Sequence, residues 1–388
     1  MVTLKEMNST ALFTLASSLH SEIIEDASKE KFIRDIEAEA GYGFLFCGDD
    51  FSSYGTHDTD IIYVRTGGTE GLFKALDIKG DVKLLTSGDS NSLAASMEIL
   101  SYLHRKGQAG EIIHGSPSYI VSRLQAPVTG GSETLSPFVG PVPEVDLGGV
   151  RLGVIGRPSD WLISSDVDYD KVRTRLNAVL VDIPIQELLD EINLPPERMK
   201  TFEGSEEIYR AIKAIVSRYR LGGLTLRCFD LLDSVHNTGC LALARLNAEG
   251  IPSGCEGDIP ALLTMAWLQA EEGCPGFQCN LSRIDGSSLL FAHCSVPLTM
   301  LESYRYDTHF ESGIGTAVKG EMILSDVEIV KFSPDLESCV RIPGRIVSNC
   351  SFPNLCRTQI LVDAPGAAEY FLRSPLANHH VIHFCARR

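Results

Sequence analysis

Short apolar runs separated by polar, glycine-containing loops set the rhythm of the first part of the chain. GYGFLFCG reads as a strand, and DIIYVRTGGTEGLFKAL passes from a strand through a Gly-rich turn into a helix. DVKLLTSGDSNSLAASMEILSYLHRKG repeats strand, polar loop and helix, and GEIIHGS adds a further strand. Residues 1–40 read as helical, with ASKEKFIRDIEAEAG stopping at Gly41. Strands alternating with helices predict a parallel sheet of doubly wound, Rossmann-like type. Ligands of such sheets sit at the carboxyl ends of strands, where the TGGTEG and TSGDSNS loops fall.

Residues 124–149 carry four prolines and several glycines without periodicity and read as a linker. RLGVIGRPSDWLISS then starts a second α/β round, whose first polar turn presents Arg157, Ser159, Asp160 and Trp161. Within 251–300, a loop of small residues delivers Glu256 and Asp258, a hydrophobic helix follows, and a strand-like run ends in His293 and Cys294. Beyond about residue 305, β-branched runs, alternating charges and frequent turn residues predict an antiparallel β module. The expected organisation is an α/β domain over 1–149, a second over 150–304, and a β-rich domain over 305–388 that completes the active site.

Length supports that division, since 388 residues exceed one ordinary core. A net charge of -17 argues against a nucleic-acid or anionic-membrane surface and suits a neutral or metal-chelating ligand. No apolar run reaches the length of a membrane span, and the N-terminal segment does not read as a signal peptide. Eleven cysteines, an odd number and scattered, fit reduced cytosolic thiols acting as small hydrophobes. A cytoplasmic protein is expected.

Chemistry concentrates in the second half. Glu256, Asn280, His293 and one of His379 and His380 supply oxygen and nitrogen donors that suit Mn²⁺ or a similar divalent ion better than a structural zinc site. The simpler alternative for Glu256 is a charge at the start of the following helix. Cys255, Cys274, Cys279 and Cys294 lack zinc-ribbon spacing and read as buried thiols. The TGGTEG loop is either a tight turn or a set of backbone N–H groups for an anion. Arg357 and Gln359 alternate along a strand, and His309 and Glu311 lie two apart on another, as pocket or proton-transfer candidates.

SGCEGDIPALLTM, AHCSVPL, THFESGIG, LCRTQ and PLANHH, in that order, resemble the L-fucose isomerase-like family, related to fucose and arabinose isomerases. The likeness spans residues 250–388, whereas the first 150 residues share only layout and the TGGTE loop. It implies α/β domains followed by a β-rich domain, Mn²⁺, aldose–ketose interconversion, and a homo-oligomer, trimer or hexamer. It implies Glu256 as metal ligand, assistance from His293, and a C-terminal histidine after Asn378, either His379 or His380. The family's second carboxylate ligand falls where this chain has Asn280, and an amide cannot take a proton. Proton transfer then falls to Asp258, Glu311 or Glu256, or to a metal-bound hydroxide, with Arg157, Trp161, Asn280, Arg357, Gln359 and Asn378 around the sugar. The expected function is isomerisation of a deoxy-sugar or pentose through an enediol. The alternatives are a carbohydrate-binding or regulatory homologue without turnover, and another metal-assisted sugar reaction such as epimerisation or aldol cleavage.

Overall fold

The structure, a computed structural model, describes residues 10–17, 27–128 and 136–384. Strands β1 (Thr10–Leu15), β2 (Leu45–Gly48), β3 (Thr59–Val64), β4 (Val82–Thr86) and β5 (Gly110–Ile113) form a parallel sheet in the order β2-β1-β3-β4-β5. Alternate side chains divide between its faces. Leu12, Ile61, Tyr63, Leu85 and Ile113 pack with helices Lys31–Ala40 and Pro117–Leu124. Leu15, Ile62, Val64, Leu84 and Ile112 pack toward helices Glu70–Leu76 and Ser92–Arg105. Of the helix expected over 1–40, Lys31–Ala40 forms and Thr10–Leu15 is instead the strand β1, while residues 1–9 and 18–26 lie outside the described residues. TALFTL is buried at every position between two neighbouring strands, and a continuous apolar run carries no period to separate strand from helix.

The second sheet is also parallel: β7 (Val150–Ile155), β8 (Ala178–Ile183), β9 (Gly223–Leu226) and β10 (Ser253–Cys255), in the order β10-β9-β7-β8. Before it, β6 (Val139–Pro141) pairs with a strand two hundred residues on, so part of the expected linker is built into a sheet.

That third sheet is antiparallel. It joins β11 (Phe277–Asp285), β12 (Ser288–His293), β15 (Asp326–Phe332), β16 (Ser338–Cys350), β17 (Thr358–Asp363) and β18 (His380–Phe384) in the order β15-β18-β11-β12-β17-β16, and β15 pairs back onto β16 to close it. Closure leaves few open edges. β13 (Leu301–Asp307) and β14 (Ala317–Met322) make a separate hairpin. Sequence patterning had grouped β11 and β12 with the second α/β unit, but they pair with β17 and β18. The hydrophobic helix Ile259–Glu272 lies between the second and third sheets, sharing a core with Leu152, Val154, Phe332 and Val381. It is apolar all round because both sides are covered. No helix among the described residues is long and apolar enough to cross a membrane.

Candidate active site

One cavity lies where the three sheets meet, with about 400 Å³ of space, its open mouth included. Gly67, Gly68 and Glu70 reach it from the turn after β3, and Asn91, Ala94 and Ala95 from the turn and helix after β4. Trp161 follows β7, Phe229 follows β9, and Glu256 follows β10. Asn280 on β11, Glu311 in the β13–β14 connection and Asn378 just before β18 complete the wall. Both parallel sheets therefore present their carboxyl ends to it, as the strand-end rule expects.

Glu256 is the pivot. Its backbone is left-handed (φ +64°) and Gly257 follows at +71°. A Cβ on Gly257 would stand 2.4 Å from Arg157 O, so the turn after β10 closes against the turn after β7 only with glycine there. Trp161 Nε1 donates to Glu256 Oε2 (2.6 Å), and His379 Nε2 lies 3.4 Å from Oε1. One ligand atom each from Glu256, His293 and His379 lies within 4.8 Å of the others. His293 Nδ1 is paired with Ser295 Oγ at 2.8 Å, which leaves its other ring nitrogen for this cluster.

Behind His379 runs a buried chain of charge. His379 Nδ1 lies 2.9 Å from Asp258 Oδ2, and Asp258 Oδ1 accepts from Ala261 N (2.8 Å), capping the helix. Lys331, fully buried, donates to His379 O (2.6 Å) and lies 3.7 Å from Asp258 Oδ2. Burial works to raise the Asp258 pKa, but Lys331 and His379 outweigh it and bring the group to about 2. Burial opposes charge on His379, yet Glu256 and Asp258 push it up to about 10. Burial of Glu256 is likewise outweighed, chiefly by His379, and its pKa falls below the usual carboxylate value. Burial, assisted by His379, takes His293 down to about 4, so this imidazole is neutral at pH 7 and ready to donate its lone pair.

The cavity wall is rich in acceptors. Glu70 Oε2, Asn91 Oδ1, Asn280 Oδ1 and Asn378 Oδ1 are buried without a hydrogen-bond partner. Such atoms are costly unless a ligand satisfies them. Three carboxylates and no Lys or Arg line the cavity. Burial and the neighbouring carboxylates raise the pKa of Glu70, and burial together with Glu256 raises that of Glu311 despite His309. An anion does not suit this wall, so the TGGTEG loop does not act as the anion cradle its glycines allowed. It contributes the Glu70 carboxyl instead.

Of the residues singled out from sequence, Glu256, His293 and His379 come together, and Trp161, Asn280, Glu311 and Asn378 share the cavity with Glu256. Others do not. His380 turns the opposite way, with Nε2 2.8 Å from Tyr370 Oη and Nδ1 2.8 Å from Asn378 O. Alternation along the strand entry separates it from His379, and it is a core histidine. Asp258 is fully buried and engaged by Ala261, His379 and Lys331, so it orients the imidazole and is not a free base. Arg157 is 70% exposed and pairs with Asp160 outside the cavity. Arg357 holds Thr308, donating from Nε to its carbonyl (2.5 Å) and from Nη2 to its Oγ1 (2.9 Å). Gln359 spends its amide on Phe352 and Cys356. His309 and Glu311 lie in a turn, not a strand, with His309 Nδ1 2.9 Å from Ser312 Oγ. Cys255, Cys279 and Cys294 are buried, Cys274 is only partly so, and every described cysteine is free.

Glu70, Asn91, Phe229, Lys331 and Glu98 escaped sequence reasoning. The loops carrying Glu70 and Asn91 stood out for position and glycine content, not for their side chains. Glu98, inside a helix, accepts from Ser164 N (2.6 Å), Ser165 Oγ (3.1 Å) and Asn378 N (2.9 Å), tying all three layers together, and burial pushes it up to about 7 against the pull of Lys331. No family model matches this chain, and no curated protein matches it.

Proposed function

We propose that this protein is a metal-dependent aldose–ketose isomerase acting on a deoxy-sugar or pentose. The observation that carries the reading is the meeting of two groups of atoms. A buried two-imidazole, one-carboxylate cluster shares Glu256 with a cavity whose four unpartnered side-chain oxygens await hydrogen-bond donors. A polyhydroxylated chain supplies such donors without charge.

The donor set fits a divalent ion. His379 Nε2 is buried and faces Glu256 Oε1 at 3.4 Å, and its other nitrogen is oriented by Asp258, the carboxylate–histidine pairing common behind metal ligands. Glu256, His293 and His379 would hold the ion, and the Asn280 oxygen, on the same cavity wall as Glu256, adds the hard donor character that favours Mn²⁺. When bound, such an ion polarises the carbonyl and hydroxyl oxygens of a sugar. Asn91, Asn280 and Asn378 would fix the hydroxyls, and Trp161 packed edge-on to Phe229 at 4.8 Å would exclude water from the reacting carbons. A cavity carboxylate would move the proton between adjacent carbons through an enediol.

In the same reading the two parallel sheets are Rossmann-like doubly wound units, and the chain is a cytoplasmic homo-oligomer, trimer or hexamer; sedimentation of the purified protein tests the assembly. The test of activity is a panel of pentoses, 6-deoxyhexoses and their ketoses with Mn²⁺ in deuterated water. At least one sugar should show C2-proton exchange and interconversion, both lost in Glu256→Ala. Asn280, standing where the resembled family has a carboxylate, favours a second reading as a sugar-binding protein without turnover. Calorimetric sugar binding with no exchange across the whole panel would replace the first reading with the second.

A further inference from the structure

Isomerisation needs a carboxylate able to give and take a proton at carbon, and the acidic groups in and around the cavity differ sharply in how free they are. Asp258 is fully buried behind His379. Glu256 is held by Trp161 at one oxygen and faces His379 at the other. Glu311 accepts from Asn91 Nδ2 (2.7 Å) and rides on the β13–β14 turn. Glu98 accepts from Ser164, Ser165 and Asn378 and does not line the cavity. Glu70 is different. It is 2% exposed, lines the cavity, and keeps Oε2 without a partner.

We propose that Glu70 is the acid–base residue that carries the proton between C1 and C2 of the sugar, in the role the amide of Asn280 cannot fill. The proposal rests on the isomerase reading. Glu70 takes the C2 proton of the open-chain aldose, and the freed C–H electron pair becomes the C1=C2 bond as the carbonyl pair moves onto O1. The O2 hydroxyl proton passes to O1. Glu70 then returns its proton to C1, and the electron pair left on O2 forms the ketose carbonyl. Atoms and electrons balance within the sugar, so no co-reactant is needed.

The loop holding Glu70 is built for fixed placement. Thr66 Oγ1 accepts from Ser17 N (2.8 Å), Thr69 Oγ1 donates to Thr66 O (2.9 Å), and Gly67 N donates to Ser90 O (2.8 Å). The loop is thereby stitched to the segments that follow β1 and β4. Gly67 packs so closely on Asn91 that an added Cβ would stand 3.0 Å from the Asn91 Cβ. Burial, with Glu98, Glu256 and Glu311 nearby, keeps the carboxyl a weaker acid than usual, which suits a group that must return a proton as well as take it.

The test compares wild type, Glu70→Gln and Glu70→Asp with Mn²⁺ and the sugar found active in the panel. Three quantities are read: Mn²⁺ affinity and sugar affinity by calorimetry, and C2-proton exchange at saturating sugar. Glu70→Gln should keep both affinities within about threefold and lose at least about 100-fold in exchange, the usual worth of a positioned acid–base group. Glu70→Asp should recover part of that loss. Weakened sugar binding with undiminished exchange would make Glu70 only a hydroxyl acceptor and overturn the proposal while leaving the isomerase reading intact, with Glu311 as the carrier. Absence of exchange in the wild type itself would remove both together.

Discussion

Asp258→Asn separates duties that a single carboxylate performs. Asparagine caps helices as well as aspartate, so the bond from Ala261 N should survive, while an amide NH2 takes the place of the oxygen that faces His379 Nδ1. The charge is lost, and with it the oxygen that faces His379 and Lys331. The fall of the Asp258 pKa from its ordinary 3.8 to about 2, at about 1.4 kcal/mol per pH unit, corresponds to on the order of 2 kcal/mol held by the ionised form. For a carboxylate with a depressed pKa, that contribution is complete above the ordinary carboxylate range and is lost as pH falls through about 2. Denaturant unfolding of metal-free protein should therefore show Asp258→Asn less stable by about 2 kcal/mol at pH 7, with the difference shrinking below about pH 4.

The variant also leaves Lys331, fully buried, without its carboxylate partner. Replacing a buried ion pair by apolar groups is often neutral, whereas removing one member is costly. Asp258→Asn combined with Lys331→Met should thus recover most of the lost stability. Metal affinity should behave differently, because His379 loses its charged orienting partner in both variants; Mn²⁺ binding should weaken about 10- to 100-fold in each. Recovery of Mn²⁺ affinity alongside stability in the double variant would refute the claim that Asp258 acts on the metal through His379.

Because His379 sits at about 10 in the metal-free protein, it is protonated at pH 7 and must release a proton to become a ligand. Mn²⁺ affinity should accordingly rise about tenfold per pH unit between pH 6 and 8, as measured by calorimetry, and a flat profile would contradict the ion pairing described. Metal counting should find about one Mn²⁺ per chain in His380→Ala and none in His379→Ala; the former should still lose about 1–3 kcal/mol of stability or more, since Tyr370 Oη loses a partner. Gly257→Ala adds a side chain 2.4 Å from Arg157 O at φ +71°. It should cost about 2–4 kcal/mol, against about 1 kcal/mol for Gly273→Ala, also left-handed but with nothing within 4 Å.

How much of this was legible in the chain depended on the range over which each feature is determined. Parallel sheets announced themselves because strand, loop and helix each have a local signature, and the antiparallel module did so through alternating patterns. β1 did not, because a strand buried on both faces has no alternation to read. Glu256 was legible because its surroundings are local: a two-residue left-handed turn followed at once by a capped helix. His379 and His380 were indistinguishable until β18 had paired with β11 at Cys279 and His380, which sends one imidazole to Asp258 and the other to Tyr370. Arg157, Arg357 and Gln359 look like sugar-binding residues by type; Arg157 pairs locally with Asp160, three residues on, whereas Arg357 and Gln359 are engaged by Thr308 and Phe352, farther away in the chain. Glu70 and Asn280 are 210 positions apart, and no local pattern joins them.

The backbone gives the cavity a second, independent mark. Nine described non-glycine residues have positive φ. Four of them, Asp77, Asn177, Arg220 and His236, end helices, where left-handed residues are routine. Of the other five, Ser90, Asn91, Glu256 and Ala377 either line the cavity or immediately precede a residue that does; only Leu336 lies elsewhere. Each left-handed residue costs about 1–2 kcal/mol, and such costs persist only where the surrounding packing over-determines them. That packing is identifiable here. The Glu98 carboxyl binds the Ser164–Ser165 turn and the Asn378 amide at once, so the strained entry to Asn378 is clamped from the helix that follows Asn91. The three layers do not merely enclose a space between them. They hold separate strained turns in register, and it is those turns that aim Asn91, Glu256 and Asn378 at a common centre.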